Sequence, residues 1–519
     1  MQALGSRQHN QSADVSNYRD PNATRRRFLG ASIGSAALFA TGATGAADAP
    51  TLRLVEQHNS ARSGRLLIRG GTIVSMDPQI GDLLNADVLV AGTRIEAIGT
   101  NLAAGGALVI DASGRIVCPG MIDSHRHSWQ GQWRRMIPSG DLPLYVAATH
   151  RGYGLHYRPE DVYVGNYITA VSNINSGVTG LLDYSHIRRS PEHADAAVEA
   201  LVDAGIRAQY TCARPPASVA GPYDNRWLED LPRIKKRFFA NEDQLVTLGV
   251  GTPLVEENYR LGRSLGIRIA TDPVFGKAEK ASYPFPDQGP MILKFEQAGL
   301  LGPDVTFVHC AGLSDEAWRA IKASGTTIAL APTSDAQYMQ MAGLTPIQAA
   351  MTFGVQPSLS IDADVGLSSD MWTQMRTVVY AQRLMIAQAR ADGRPDPGPP
   401  MTVRDALQAA TVGGAMALGL SRKVGTLAPG KEADILLVDS DELGLPLNNA
   451  YGALVQGADT KSVHTVVIGG KIRKWAGELV GVDLDRLRTR ADASREYLIE
   501  RSGRTIDVFS DEVSPSKAK

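Results

Sequence analysis

From about residue 119 the chain alternates short apolar runs with longer segments whose apolar residues recur every three to four positions. That alternation argues parallel strands joined by crossover helices. Eight runs fit the strand pattern: 119–125 (PGMIDSH), 177–185, 205–213, 245–253, 266–274 (GIRIATDPV), 305–312 (VTFVHCAG), 326–334 and 356–364 (QPSLSIDAD). The intervening segments carry helix signals. Pro159 suits a first turn in RPEDVYVGNYITAVSNIN, PEHADAAVEALVDAG follows the same period, and SDEAWRAIKASG opens on Ser314 as cap and stops at Gly325. Eight βα repeats predict an α/β fold, a (β/α)8 TIM barrel over 119–423.

The flanks read differently. Between 51 and 118, LLIRGGTIVSMD, ADVLVAGTRIEAIG and ALVIDASGRIVCPG alternate apolar and polar residues around Gly and Asp turns. After the helical segment TVRDALQAATVGGAMALGL, the same texture returns over 424–480 in KVGTLAPGKEADILLVD and SVHTVVIGGKIRKWAGELVG. A small composite β-sandwich built from both flanks, with the barrel inserted between, is expected. Residues 481–519 read as one charged helix and a tail.

Residues 1–49 form a separate unit. A polar leader ends in Thr24-Arg25-Arg26-Arg27-Phe28-Leu29 and precedes a small-residue apolar stretch closing on Ala47-Asp48-Ala49. This resembles a twin-arginine-type signal peptide, and Pro50 argues for cleavage a residue or two before that end. The resemblance implies the Tat export machinery as a partner and a periplasmic or secreted protein. A membrane anchor is the alternative, but the stretch is short and rich in Gly, Ala and Ser, and no other apolar run is long enough to span a bilayer.

Composition narrows the chemistry. With 53 basic and 54 acidic residues among 519 and no long charge run past the leader, nucleic acid is a poor partner and a small-molecule substrate a better one. The three cysteines, Cys118, Cys212 and Cys310, are far apart and read as core residues. The sequence leaves homo-oligomerisation open.

Active sites in TIM barrels lie at the C-terminal ends of the strands. The first run ends in Asp123-Ser124-His125-Arg126-His127, and imidazoles at i and i+2 of an extended backbone point to one side, where they can chelate a cation. Asp272, His309 and Asp362 end the fifth, sixth and eighth runs. Imidazole with carboxylate suits Zn2+, Fe2+ or Mn2+. Asp272 reads equally as a turn residue before Pro273. Trp129, Gln130, His186, Tyr338, Met339 and Trp372 are candidates for holding a flat substrate, with barrel-rim packing the alternative for the aromatics and helix capping for His186. His156 reads as structural.

GMIDSHRHSWQ, FVHCAGLSDE, PSLSIDAD with SSDMWTQMR, and KVGTLAPGKEADILLVD resemble the amidohydrolase superfamily, in the branch of cytosine deaminase, atrazine chlorohydrolase and adenosine-nucleoside deaminases, from about 65 to 480. The resemblance implies one divalent metal ion, Zn2+ or Fe2+, and water attack on a non-peptide C–N bond of a small, heterocyclic molecule. It assigns His125 and His127 as paired ligands, Asp362 as ligand and proton acceptor, and His309 as the group that polarises the substrate. The family pattern has a histidine and then a glutamate at strand five, where this chain has Asp272 and no glutamate before Glu279. Asp272 as a ligand would neutralise the metal charge further, and the missing glutamate turns attention to leaving groups that need less proton help. Hydrolysis of a C–halide or lactone bond is the alternative on the same site, and a non-catalytic small-molecule binder the alternative of another class.

Overall fold

The computed structural model describes residues 51–61, 64–215, 226–241, 243–277, 286–338, 345–395, 397–441, 443–511 and 513. The signal expected at 1–49, with Pro50, and Met339 and Glu279 lie outside the described residues. Among the described residues no helix is long and apolar enough to cross a membrane.

A helix, Leu52–Ser60, leads into five strands, β1 (Arg65–Val74), β2 (Asp82–Ala91), β3 (Arg94–Gly99), β4 (Leu108–Asp111) and β5 (Arg115–Pro119). Eight strands follow: β6 (Met121–Arg126), β7 (Val178–Ser185), β8 (Arg207–Ala213), β9 (Val246–Gly251), β10 (Arg268–Phe275), β11 (Val305–Ala311), β12 (Thr327–Leu330) and β13 (Pro357–Leu359). They pair in chain order, every pair parallel. Apolar runs without alternation become strands buried along their whole length, as in β7, β8 and β11, because helices cover one face and the barrel interior the other.

The barrel closes between β13 and β6, and there side chains replace most of a backbone ladder. Asp362 N–H donates to the His125 carbonyl at 3.0 Å, and His127 N–H donates to the Asp362 carbonyl at 2.9 Å. Asp123 Oδ1 accepts Ile361 N–H at 3.0 Å, Ser124 Oγ donates to the Leu359 carbonyl at 2.8 Å, and Arg126 Nη2 meets Asp364 Oδ2 at 2.9 Å.

After the barrel come β14 (Ile435–Asp439), β15 (Val463–Ile468), β16 (Lys471–Trp475) and β17 (Glu478–Leu479). The flanks form one nine-stranded sheet in the order β17-β16-β15-β14-β5-β1-β2-β3, with β4 also on β1. Its two halves join where β5 and β14 pair antiparallel, and Ile68, Val88, Val90, Val117, Ile435, Leu437 and Val467 share one core. The expected sandwich is therefore a single hydrogen-bonded path folded over its own core.

Helices Pro159–Asn175, Pro191–Ala204 and Asp315–Ser324 begin and end where the sequence signals place them. Ser314 accepts Ala317 N–H, and Gly205 and Gly325 adopt the left-handed conformation that ends a helix. The last two barrel runs are shorter than their sequence pattern. Pro332 starts a helical turn, Pro332–Gln337, that shortens β12, and β13 has three residues, after which the chain turns to present Asp362. Segment 402–420 is broken by a π turn at Ala409–Gly413.

Sheet and barrel are locked by a buried ion cluster. Arg207, the first residue of β8, meets Asp434 through Nε at 2.8 Å and Nη2 at 2.9 Å, and Glu432 through Nη2 at 2.6 Å. Burial works against its charge, but the two carboxylates more than restore it. Removing one member of such a cluster strands the others in low dielectric. We expect Arg207→Leu to lose about 3–5 kcal/mol of unfolding free energy by denaturant titration, and a loss under about 1 kcal/mol, that of a surface pair, would refute the lock.

Candidate metal centre and its aromatic pocket

The strand ends bring donor residues into two overlapping trios, His125-His127-Asp362 and His125-Asp272-His309. His125 Nε2 lies 3.3 Å from Asp362 Oδ1 and 3.6 Å from Asp272 Oδ2. His127 Nε2 lies 3.2 Å and 3.6 Å from the same two oxygens. These are poor hydrogen-bond lengths but good coordination edges, since two ligand atoms at about 2.0–2.1 Å from a tetrahedral ion stand roughly 3.3–3.4 Å apart. His127 Nδ1–H donates to the Tyr184 carbonyl at 3.1 Å, which leaves the Nε2 lone pair facing inward. Neither ring nitrogen of His125 has a hydrogen-bond partner, although both are buried. A buried polar atom without a partner is costly, and a divalent ion would satisfy His125 Nε2. The donor set fits such an ion.

Asp362 is fixed from two sides. Its Oδ1 faces the imidazoles and its Oδ2 accepts the hydroxyl of Ser334. Its backbone is left-handed (φ 69°), as is that of His309 (φ 68°), a conformation costing roughly 1–2 kcal/mol in a non-glycine residue. The barrel seam supports it at Asp362. Burial would push both carboxylates up, yet the surrounding histidines hold Asp362 well below the usual carboxylate range and Asp272 also below it.

His309 completes the second trio, with Nε2 at 3.5 Å from the other Asp272 oxygen, Oδ1. Its Nδ1–H donates to Asp335 Oδ1 at 2.8 Å. Burial opposes its charge, but Asp335 and then Asp272 hold its pKa well above the ordinary imidazole value. Asp335 follows the seventh run in Thr333-Ser334-Asp335, and that polar cluster at a strand end is the signal by which Ser334 and Asp335 could have been found. Tyr145 and His150 carry no such signal, since they belong to the segment after β6 rather than to a strand end.

That segment builds an aromatic wall. The Trp129 indole N–H donates to His186 Nδ1 at 3.1 Å, and His186 stacks on His127 with centroids 4.0 Å apart. His150 meets His186 edge-on at 4.7 Å and Tyr145 at 5.2 Å. Gln130 donates to the Tyr145 hydroxyl at 2.7 Å, and Tyr145 packs on Tyr338 at 4.9 Å. Burial, followed by the neighbouring His127 charge, pulls His150 down to about 3 and His186 well below its ordinary value, so both are neutral at neutral pH. The wall is held by a close backbone approach, since a Cβ on Gly165 would lie 2.1 Å from the Trp129 carbonyl oxygen.

The structure thus gathers His125, His127, Asp272, His309 and Asp362, with Trp129, Gln130, His186 and Tyr338 beside them. Trp372 is the exception. Its indole N–H donates to the Ser176 carbonyl at 2.9 Å, just before β7 begins, whereas Tyr184 and the metal-facing imidazoles lie at the other end of that strand. Eight residues of strand separate the two ends, about 25 Å. Its bulk fills a helix–barrel contact instead of the mouth.

A parallel barrel with histidines and carboxylates gathered at its C-terminal mouth, joined to a sheet drawn from both flanks, is an arrangement able to hold a divalent ion. Residues 278–473 match the family model of the Amidohydrolase family. The chain is 29% identical to a 5-methylthioadenosine/S-adenosylhomocysteine deaminase of Moorella thermoacetica, over 82% of this chain and 97% of that one. It is 25% identical to a 5'-deoxyadenosine deaminase of Methanosarcina acetivorans, over 84% and 99%. Among solved structures, a zinc-bound adenosine deaminase from Xanthomonas campestris aligns with a TM-score of 0.69 at 19% identity, covering 84% of this chain and 98% of that one. A zinc complex of atrazine chlorohydrolase from Arthrobacter aurescens aligns with a TM-score of 0.70 at 21% identity, covering 83% and 99%.

Two outcomes test the centre. The purified protein should take up one divalent ion, and Asp272→Ala should lower its affinity at least about tenfold; unchanged stoichiometry and affinity would remove Asp272 from the ligand set. The neighbouring carboxylates, after opposing burial, leave His127 with a raised pKa, so in the metal-free protein it still holds a proton at pH values where a free imidazole has lost it. Metal uptake must displace that proton. Calorimetry in buffers of different ionisation enthalpy should therefore detect proton release that grows as pH falls from about 8 to 6, and uptake without release would contradict it.

Proposed function

We propose that this chain hydrolyses a non-peptide C–N bond of a small heterocyclic molecule, by deamination or by opening a cyclic amide or amidine. The observation that carries the reading is the four-donor cluster with His309 on its open side and a neutral aromatic wall beside it. A divalent ion held by His125, His127, Asp272 and Asp362 supplies a Lewis acid that acidifies water. Zinc in two structural neighbours favours Zn2+. The remaining steps belong to the protein's own groups. Asp362 Oδ2 keeps one lone pair beside the Ser334 hydroxyl and accepts the proton of the attacking water. His309, fixed through Nδ1–H by Asp335, directs Nε2 at the substrate and donates there as charge develops. Trp129 and Tyr338, with the neutral His186, hold a flat ring against the site.

The deaminases among its relatives favour aminated purine nucleosides as the first substrates to try. A second reading has a specific observation behind it: Phe275, stacked on His309 at 5.4 Å, follows Asp272 where the family's proton-carrying glutamate is expected. A halide leaves without a proton, so C–halide hydrolysis suits that arrangement.

The test is a panel of aminopurine nucleosides, aminopyrimidines, hydantoin-like rings and chlorotriazines incubated with zinc-loaded protein, with ammonia and chloride measured separately. We expect ammonia release or ring opening that falls at least about a thousandfold in Asp362→Asn. Chloride release alone would select the second reading, and turnover retained in both Asp362→Asn and His127→Ala would sink the mechanism. Export rests on the Arg25-Arg26-Arg27 motif. Wild-type protein should fractionate to the periplasm or medium, and replacing all three arginines with lysine should retain it in the cytoplasm; equal export of both would refute a twin-arginine route.

A further inference from the structure

A cavity of about 420 Å³ opens at the N-terminal end of the barrel, opposite the metal-facing mouth. It is bounded by Val246 and Leu248 of β9, by Ile267 and Arg268 where β10 begins, and by Phe239 and Leu418 from the flanking helical segments. Those five apolar side chains are all at least nine-tenths buried. The charged groups on its lining are Lys235, Arg268, Lys423 and Asp243. Asp243 is engaged by Lys423 at 3.1 Å, so the cavity carries an excess of positive charge.

Arg268 is its most distinctive group. Its Nη2 donates to the Ala417 carbonyl at 3.0 Å, while its Nε is buried without a partner. A Cβ on Gly419 would lie 2.6 Å from Nη1, so only glycine lets the guanidinium lie flat there. Asp304, an acid whose charge acts on it, is already held by Arg263 at 2.8 and 3.1 Å. Burial pulls Arg268 down to about 10, which still leaves it charged at neutral pH. A desolvated cation with no carboxylate of its own is costly. Capping the helix end at Ala417 recovers part of that cost, but it does not account for the apolar chamber; Lys235 beside it donates to the Leu265 carbonyl, and its charge lies at the cavity edge.

We propose that this chamber binds a small aromatic carboxylate, its ring among Phe239, Ile267 and Leu418 and its carboxylate on Arg268 and Lys235. The volume suits one such molecule. The location gives it a physical link to the metal centre. Arg268, Ala270 and Asp272 alternate along β10 with the same parity, four residues spanning about 13 Å between the bound carboxylate and the metal-facing one. This site is independent of the substrate reading, because none of its residues belongs to the aromatic wall.

The probe is benzoate, titrated calorimetrically at low ionic strength into zinc-loaded protein, with benzyl alcohol as its neutral counterpart. We expect one benzoate site, no measurable benzyl alcohol binding, and affinity weakened about tenfold or more by Arg268→Met, the loss of a charge-assisted hydrogen bond. Lys235→Glu, on a half-buried side chain, should weaken it in the same direction and serves if Arg268→Met does not fold. His127→Ala should leave it unchanged. Benzoate binding abolished by His127→Ala would place it on the metal and overturn the proposal. So would binding indifferent to both cavity variants, or none up to about 10 mM, a concentration that would half-fill even a weak site.

Discussion

The seam between β13 and β6 is the constraint on which the rest of this structure depends. A closed barrel must join its last strand to its first, and here a three-residue β13 meets β6 largely through side chains. Asp362 supplies both backbone bonds at the mouth, one to the His125 carbonyl and one from the His127 amide. Closing the barrel and bringing the carboxylate to the two imidazoles are therefore the same event. The pentad Asp123-Ser124-His125-Arg126-His127 divides that labour by position. Asp123, Ser124 and Arg126 hold the far side of the seam, while His125 and His127 face inward.

This coupling explains how strained backbone persists at a working site. Left-handed residues at His309 and Asp362 are tolerated where surrounding bonds over-determine them. At Asp362 the seam bonds and the Ser334 hydroxyl do so. Asp335 performs a related task for His309, orienting the ring through Nδ1–H so that Nε2 faces the mouth. Ser334 and Asp335 sit on the helical turn that cuts β12 short, so the shortening brings both groups to the mouth.

Much of the architecture was legible in the chain because it follows from period. Eight apolar runs with helical spacers could form little else than a parallel barrel, and the texture common to both flanks foretold a sheet drawn from both ends. The candidate ligands were legible because strand ends are where polar residues interrupt apolar runs. What escaped has equally physical reasons. Asp335 lies one residue beyond the apolar run, on a turn that only the fold brings back. Tyr145 and His150 come from the long connection after β6, whose path no local periodicity encodes. Trp372 follows Asp362 closely in sequence, yet a helix begins at Met371 and its second residue is turned to the Ser176 carbonyl. The continuous sheet path was hidden as well, since β5 pairs with β14 across more than three hundred residues.

The charge pattern around the mouth bears on what it can accept. Two carboxylates and two neutral imidazoles would cancel a divalent ion's charge, so water there would be less acidified than over three imidazoles. Two features compensate. Asp362, held well below the usual carboxylate range, stays ionised in a buried site and is ready as an acceptor; His309, backed by Asp335, keeps a proton to give. Such a site moves the burden from a strongly activated water to a well-placed acid and base. It does so beside a wall of neutral rings, where a charged substrate would lose its hydration and gain little in return. A neutral, flat, electron-poor ring is the molecule that loses least on entering and gains most from a proton delivered at Nε2 of His309.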